Sequence, residues 1–589
     1  MRRSPSRTDP APPWLTLFLM VLRHRPRQAL DVAYCWLRGR RVRARNRLYA
    51  AGATLPDSYR FWIKAIERPE VAALARTAAE RMGAPTISVV VDAAAWTDHT
   101  TLAATLRSIR TQSDPGLQLI VVGGAGAARE GDVHLAGDVQ HALAAADGGF
   151  TIIMPPDALL PPWAIARYRH AALAHPDATI LFGDEDAIDA TGRRQRPWWK
   201  PQWNAELILA SDYLSHACAI ATPALRRAAG RVPAGTPDLR YALVLAAAAE
   251  AGAVIRHIPH ILCHLPLSAP TTGPEDRARV VADHLAGAQA TAAVGPFGTV
   301  RVRWPLPVTV PSVTIIVPTR DRVELMEACV GSLLRETDYA DYDVLIVDNG
   351  SVEPETHAWF AAVTTADARV SVLPYDRPYN YSAINNFAAG QARGQYLCLL
   401  NNDTEVIDGA WLSELMRYAV RPGVGAVGAK LLYPDRSIQH AGVVMGMGNA
   451  AGHPHRMLPD DQPGYFALAH APHEASAVTA ACLVVERTKF AAVGGLDADH
   501  LQIAYNDVDF CLKLVQAGWR NIYAPQAVLI HHESKSRGQD LSPQHIERYT
   551  RELATLQERW DTTRVIDRMH HPRLDRASET YLMHFRGLS

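Results

Sequence analysis

Residues 395–406 read QYLCLLNNDTEV. Tyr396–Leu400 is an apolar run with the length and composition of a buried strand. It stops on Asn401-Asn402-Asp403, where every side chain carries oxygen. In an open α/β sheet, ligands bind outside the carboxyl ends of the strands, so these residues are expected to face a crevice. A hard cation such as Mg²⁺ or Mn²⁺ is often held through one or two carboxylates together with phosphate oxygens. Asp403, with Asn401 two residues earlier, offers that chemistry. Asn and Asp are also ordinary turn formers, so the weight of the reading depends on what else reaches the same edge.

Working outward, the strand pattern Val313–Val317 ends in Pro318-Thr319-Arg320-Asp321, and Asp343–Val347 ends in Asp348-Asn349-Gly350-Ser351. A carboxylate at the position of Asp348 can accept hydrogen bonds from the N–H of a uracil or thymine ring or from ribose hydroxyls. Further on, Gly494-Gly495-Leu496-Asp497 precedes Asn506-Asp507-Val508-Asp509, which opens an apolar-periodic helix running to about Gln516. Acids at helix N-termini commonly cap or complement the dipole, and Asp509 is given that structural role. Asp507 is the candidate base. A strand from Arg520 to Ile530 then ends in His531-His532, a third strand end that offers a metal ligand. Gly423–Gly428 satisfies G-x-G-x-x-G, but a helical stretch precedes it and a strand pattern follows. That order is the reverse of the dinucleotide fingerprint, and the glycines are read as a turn.

The alternation of strands and helices occurs twice. Thr86–Val91 matches Val313–Val317, Leu117–Val122 matches Asp343–Val347, and Phe150–Asp157 matches Tyr396–Asp403. Pro237–Leu243 matches Asn506–Leu512, and Ile258–His264 resembles Ala524–His531. The same order and most of the same spacing indicate duplication of a whole domain rather than a short repeat. Where the second copy has polar groups at its strand ends, the first has Asp92-Ala93-Ala94-Ala95, Gly123-Gly124-Ala125-Gly126 and Pro155-Pro156-Asp157. The apolar strands are kept and the site is lost, with Asp157 and Asp238 as isolated survivors.

The chain has 589 residues, 48% hydrophobic and 20% charged, with zero formal net charge. That is a globular composition with no global field for nucleic acid. Seven scattered cysteines without C-x-x-C spacing fit a reduced setting better than a disulfide framework, and the expected localisation is cytoplasmic. Residues 1–50 carry twelve Arg against two Asp around the apolar run Trp14–Leu22. This run is too short for a membrane span, which needs about 20 residues. It allows peripheral contact with the inner face of the plasma membrane, or else an arm packed on the body. The expected divisions are a basic, helical N-terminal arm over 1–84, a degenerate domain over 85–267, a linker over 268–311, a catalytic domain over 312–540, and a C-terminal helix and tail over 541–589. Ser542 is the expected cap of that helix, with Pro543 at its first position.

Taken in order, Pro318-Thr319-Arg320-Asp321, Val347-Asp348-Asn349-Gly350-Ser351, Leu400-Asn401-Asn402-Asp403, Gly494-Gly495-Leu496-Asp497, Asn506-Asp507-Val508-Asp509 and His531 resemble the family 2 glycosyltransferases with a GT-A fold. The likeness covers roughly residues 56–570 and is greatest to two-module bacterial members linked to O-antigen and other surface polysaccharides, rhamnosyltransferase-like in type. It implies two tandem α/β GT-A domains, Rossmann-like and mainly parallel, with helical N- and C-terminal extensions. It further implies metal-dependent, inverting transfer of a sugar from a nucleotide-diphosphate sugar to a hydroxyl of a glycan or lipid-linked glycan, with Mn²⁺ or Mg²⁺ as cofactor and no nucleic acid partner. Asp348 would contact the nucleoside, with Pro318, Thr319, Arg320, Asp321 and Asn402 on the donor side. Asp403 stands in the place of the DXD motif, Asn401 replacing its first acid. Asp507 would be the base, preceded by Asn506 where the family has Glu. His531 would complete the metal shell, with His532 its near rival. Thr479, Gly494, Gly495 and Asp497 fall on the acceptor side, near an insert over Tyr465–Cys482. Asp184-Glu185-Asp186 looks like a retained family segment of the first copy. The competing expectation is a non-catalytic carbohydrate-binding or assembly protein made of two degenerate modules.

Overall fold

The computed structural model describes residues 13–94, 96–123, 132–135, 138–233, 235–267, 273–532 and 545–586. The chain divides into two compact units. The first comprises Met1–Trp203, Asp212–Gly273 and His571–Ser589; the second comprises Asn204–Ser211 and Pro274–His570.

In the first unit, Val133–Leu135, Leu117–Gly123, Ile87–Ala93, Phe150–Met154, Ala219–Ala221, Ile180–Ile188 and Arg194–Trp198 lie side by side, and Ile255–Pro266 pairs with Ile180–Ile188. The first four are parallel, Ala219–Ala221 runs antiparallel to both its neighbours, and Ile180–Ile188 with Ile255–Pro266 is parallel again. The second unit repeats the order of this plan and adds two short strands, Thr404–Val406 and His473–Ala475, that pair antiparallel with Arg520–His531. Val370–Pro374, Tyr342–Asp348, Val313–Thr319 and Tyr396–Leu400 are parallel, Cys482–Glu486 is antiparallel to Tyr396–Leu400 and to Val424–Leu432, and Arg520–His531 lies parallel to Val424–Leu432. Each sheet carries the same reversed strand at the same place in the order, between its fourth parallel strand and the next, in keeping with the duplication read in the sequence.

The fully apolar strands are buried on both faces, as parallel strands between helices must be. Ile316, Leu397, Leu399, Leu483 and Val485 are fully buried and join Ile384, Ala388 and Phe510 in the core of the second unit. Val89, Val91, Ile152, Leu106 and Tyr168 form the equivalent core of the first. Of the G-x-G-x-x-G segment, read as a turn, only Gly423 turns, at φ 74°; Gly425 and Gly428 lie within the strand Val424–Leu432, and no helix follows them. A Cβ on Gly428 would fall 2.4 Å from Val478 Cβ, so that glycine serves close packing.

Three helices precede the first sheet: α1 (Pro13–His24), α2 (Pro26–Leu37) and α3 (Arg41–Ala53). After them Ser58–Trp62 and Arg68–Arg76 are helical, joined by a π-turn, and a 3₁₀ turn follows. The connector after Gly273 is folded: Pro274–His284 is helical, and Thr291–Val294 pairs antiparallel with Val300–Arg303. The C-terminal helix spans Ile546–Trp560; its expected cap, Ser542-Pro543, and Gly124–Gly126 of the first copy lie outside the described residues.

Candidate active site

The register of the second sheet brings the strand-end residues level with one another. Thr319 stands opposite Asp348, and the Asn349 backbone N–H donates to Thr319 O at 2.8 Å. On the other side Asn402 Nδ2 donates to Thr319 Oγ1 at 3.0 Å. Pro318, Thr319, Asp348 and Asn402 therefore line one carboxyl edge, all buried. Asp348 Oδ1 accepts the Ser351 N–H at 2.9 Å, which fixes the carboxylate. Arg320 is exposed beyond them. Asp321, expected on the donor side, uses its Oδ1 to accept the N–H groups of Val352 and Glu353 at 2.8 and 2.9 Å. Asp321 and Arg322 both have positive φ, 52° and 61°. Asp321 shapes the loop, an outcome that acids near strand ends share with ligand-binding acids.

Asn401, Asp403 and His531 come together. Thr404–Val406 pairs with Leu529–His531, placing Asp403 Oδ1 3.0 Å and Asn401 Nδ2 3.3 Å from His531 Nε2. Asp403 and His531 are both buried. His531 Nδ1 lies 2.8 Å from Gln439 Oε1. An amide oxygen only accepts, so Nδ1 carries a proton toward Gln439, and Nε2 is the nitrogen turned to the carboxylate, free to ligate once it holds no proton of its own. Two acceptors aimed at one point, with the second imidazole nitrogen donating behind, is the arrangement a metal-ligating histidine adopts. His532 is turned aside, 3.2 Å from Glu405 Oε2. Gln439 was not anticipated, because nothing in the local pattern distinguishes a glutamine on a short strand.

Asp507 begins the helix Asn506–Gln516, entered through Tyr505 at φ 61°. Its Oδ2 accepts the Ala480 N–H at 3.1 Å and its Oδ1 the Val508 N–H at 2.8 Å. The adjoining Ala481 carbonyl accepts from Asn401 N at 3.1 Å. The turn Thr479–Cys482, with Thr479 half-buried, thus ties the segment of Asp507 to that of Asp403. Glu552, buried on the C-terminal helix, accepts backbone N–H groups of Gln502, Ile503 and Ala504 at 3.1, 3.3 and 2.8 Å. It holds the loop that delivers Asp507. Arg548, four residues earlier on the helix, bonds Glu552 Oε2 at 2.8 Å. Asp509 is fully buried and bonds Arg559 Nη1 at 2.7 Å and Trp560 Nε1 at 2.9 Å, in keeping with its structural reading.

Other acceptor-side expectations are corrected. Asp497 binds Arg559 Nη2 at 2.8 Å and the His500 N–H at 3.0 Å. Burial alone would raise its pKa; these bonds outweigh that and hold it at about 2. Gly494 and Gly495 have φ of 77° and 62°, and a Cβ on Gly495 would fall 2.4 Å from Asn386 Oδ1. This turn is shaped by packing. In the insert, His473 is buried within a short strand and His470 contacts Lys430 Nζ at 3.2 Å.

The first module does not reassemble this site. Asp157, in the position of Asp403, is half-buried with Oδ1 unbonded among the described residues, and burial raises its pKa. His264, in the position of His531, lies 2.5 Å from Asp186 instead. The retained Asp184-Glu185-Asp186 is a buried ion network: Glu185 bonds Lys200 Nζ at 2.8 Å, and Asp186 bonds Arg194 Nε at 2.6 Å and Tyr59 Oη at 2.5 Å. Asp184, His257 and His571 offer three ligand atoms within 4.8 Å of one another, a spacing compatible with a metal ion. Their protonation differs from that at Asp403, however. His571 Nδ1 accepts the Arg573 N–H at 2.9 Å. Burial outweighs the pull of Asp184 and lowers the pKa of this ring, so the neutral imidazole carries its proton on Nε2, facing Asp184 Oδ2 at 3.0 Å. Asp184 Oδ2 and His571 Nε2 are both buried without a hydrogen-bond partner among the described residues, and a metal would have to displace the Nε2 proton to bind there.

The second unit is thus an α/β module whose parallel sheet turns antiparallel past Tyr396–Leu400 and gathers carboxylates, amides and an imidazole at its carboxyl edge. Residues 314–461, all within the second unit, match the family model described as "Glycosyl transferase family 2". It is 40% identical over 461 residues to "Uncharacterized protein y4gI" of Sinorhizobium fredii, covering 76% of this chain and 50% of that one. It is 38% identical over 431 residues to "O-antigen biosynthesis protein RfbC" of Myxococcus xanthus, covering 71% and 33%. The chain thus spans half or less of the length of these two relatives. An "N-acetylglucosaminyl-diphospho-decaprenol L-rhamnosyltransferase" of Mycobacterium tuberculosis is 28% identical over 227 residues, covering 33% of this chain and 68% of that one. Among solved structures, the mannosyltransferase PcManGT from Pyrobaculum calidifontis in complex with GDP-Man and Mn²⁺ matches with a TM-score of 0.33 and 19% identity, over 43% of this chain and 65% of that one.

Proposed function

We propose that the second module, residues 312–540 with the helix that follows, is an inverting hexosyl- or rhamnosyltransferase of surface polysaccharide synthesis. It takes a sugar from a nucleotide-diphosphate sugar to a hydroxyl of a glycan or lipid-linked glycan. The observation that carries this reading is the Asp403–His531 pair, two acceptors facing each other beside Asp507 on a nucleotide-type sheet edge. Asp403 and His531, with Asn401 beside them, would hold a divalent cation. When bound, the cation neutralises charge on the departing diphosphate.

This chain's own residues do the rest. Asp348 and Thr319 orient the nucleoside, with Asn402 fixing the Thr319 hydroxyl. Asp507 takes the proton of the attacking hydroxyl, held in place by the Ala480 N–H. The first module is assigned no chemistry of its own, and residues 1–50 are assigned peripheral contact with the inner face of the plasma membrane. A donor-hydrolysis screen with UDP-, GDP- and dTDP-sugars, with and without Mn²⁺ or Mg²⁺, tests the enzyme reading. Hydrolysis of one donor that needs the metal supports it. No hydrolysis and no metal-dependent donor binding would leave the non-catalytic alternative.

A further inference from the structure

The three N-terminal helices bury one apolar face and leave another uncovered. On α2, Ala29, Val32 and Cys35 are buried, whereas Leu30, Tyr34 and Leu37, at i, i+4 and i+7 on the opposite face, are 66%, 54% and 77% exposed. A helix that is apolar on both faces is ordinarily buried on both. On α1, Leu17 and Val21 point inward while Trp14 and Leu22 are exposed. Gly52 of α3 lets the bundle close, since a Cβ there would fall 2.7 Å from Leu17 Cδ1. Between the helices runs a groove of about 540 Å³ walled by Trp14, Leu15, Phe18, Ala33 and Trp36, with Arg41 and Arg45 also on its lining. That volume is in the range of small-ligand sites.

The charge around the groove is one-sided. Residues 13–53 carry nine arginines, and Asp31 is their only acid. Among the described residues, only Arg47 of the nine has a carboxylate partner, Asp31. Arg41 and Arg45 are exposed beside the apolar walls. Guanidinium groups match phosphate in geometry and are weakly hydrated, and a basic cluster beside apolar side chains is drawn to anionic lipid. A peptide helix would bring polar backbone ends and side chains, for which these walls provide few partners.

We propose that this groove seats one acyl chain of an anionic phospholipid, its phosphate against Arg41 and Arg45, so that the three helices dock on an anionic bilayer. The inference rests on the membrane contact assigned above to residues 1–50 and specifies how that contact is made.

The test uses the full chain with vesicles of phosphatidylcholine alone or mixed with phosphatidylglycerol, the latter also with brominated acyl chains. Binding only to the anionic vesicles is expected, weakening as salt rises. Brominated chains should quench tryptophan emission, and the quenching should vanish in the Trp14→Phe/Trp36→Phe pair. Ala33→Trp, which plugs the groove, and Leu37→Gln, at an exposed position that cannot disturb folding, should each reduce quenching. Arg41→Gln with Arg45→Gln should weaken vesicle binding roughly tenfold or more, at about 1 kcal/mol per surface charge. Binding to anionic vesicles without quenching that depends on Trp14 and Trp36 overturns the groove and leaves the membrane contact standing. No binding to any vesicle, or self-association through this face without lipid, overturns both. Donor hydrolysis is read separately and bears on neither.

Discussion

His531 gives its Nδ1 proton to Gln439 Oε1 across 2.8 Å and turns Nε2 toward Asp403 Oδ1 at 3.0 Å. Gln439 thereby decides which nitrogen is free to ligate. Replacing the residue behind a ligating histidine typically costs about 10–100-fold in metal affinity, so Gln439→Leu should weaken Mn²⁺ binding by that order. Gln439→Glu, which keeps an acceptor, should weaken it far less. Titration of Mn²⁺ by electron paramagnetic resonance, with nucleoside diphosphate present, reads the difference. Equal affinities in the two variants would dismiss the tautomer as a determinant.

Asp507→Asn should retain donor binding and lose turnover by about 10²–10⁴, the usual worth of a positioned base. The amide oxygen can still accept the Ala480 N–H, so the loop is expected to hold. Calorimetry for donor affinity beside a steady-state rate separates the two effects; unchanged turnover removes Asp507 from the base role.

Glu552 reaches no strand end but holds the backbone of residues 502–504. Glu552→Gln should lower kcat with little change in donor KM. It should also lower the unfolding midpoint, since hydrogen bonds to a charged group contribute about 1.5–3 kcal/mol each. A lower midpoint with normal kcat would make Glu552 structural only.

The two aspartate–histidine groups are expected to behave differently toward metal. Asp403→Ala should abolish bound Mn²⁺ measured by elemental analysis after dialysis. Asp184→Ala should leave the metal content unchanged and destabilise the protein by about 3–5 kcal/mol, as when one member of a buried ionic group is removed. Loss of a metal equivalent in the Asp184 variant would contradict the proton placement on His571.

Burial lowers the pKa of His473 to about 4 and that of His455 to about 3, against about 6.5 in an unfolded chain. As pH falls, the unfolded chain takes up these protons first. The stability present above about pH 6.5 is therefore lost progressively toward pH 4, by about 2 kcal/mol per histidine at pH 5. His216 opposes this: burial lowers its pKa, but Glu185 more than reverses the effect. Urea midpoints between about pH 7.5 and 5 should fall, and His473→Asn should flatten the slope. An unchanged slope would show that His473 does not titrate with unfolding.

The duplication was legible because buried parallel strands must be apolar throughout, so Ile87–Val91 and Val313–Val317 mark the same layer in each copy. Asp403, Asn401 and His531 were legible because each ends such a strand. Asp321 and Asp497 have the same local signature and bind backbone or Arg559 instead, a difference only tertiary contacts can make. Gln439 and Glu552 were not legible, since their roles come from partners 92 and about 50 residues away. The reversed strand Cys482–Glu486 was also hidden, because apolar runs carry no direction.

Asn204–Ser211 belongs to the second compact unit although the sequence on both sides of it belongs to the first. Asn204 pairs through its amide with both backbone groups of Glu474, at 2.9 and 3.1 Å. Glu206 bonds Arg421 and Arg520 at 2.7 and 3.2 Å. A gene trimmed to begin at Pro274 would therefore express a second unit with a missing splint, the Glu474 amide and carbonyl bare, Arg421 without its carboxylate and Arg520 left with Glu474 alone. Eight residues spliced in from far upstream make the second unit a discontinuous piece of chain, so its boundary in the gene is not its boundary in space.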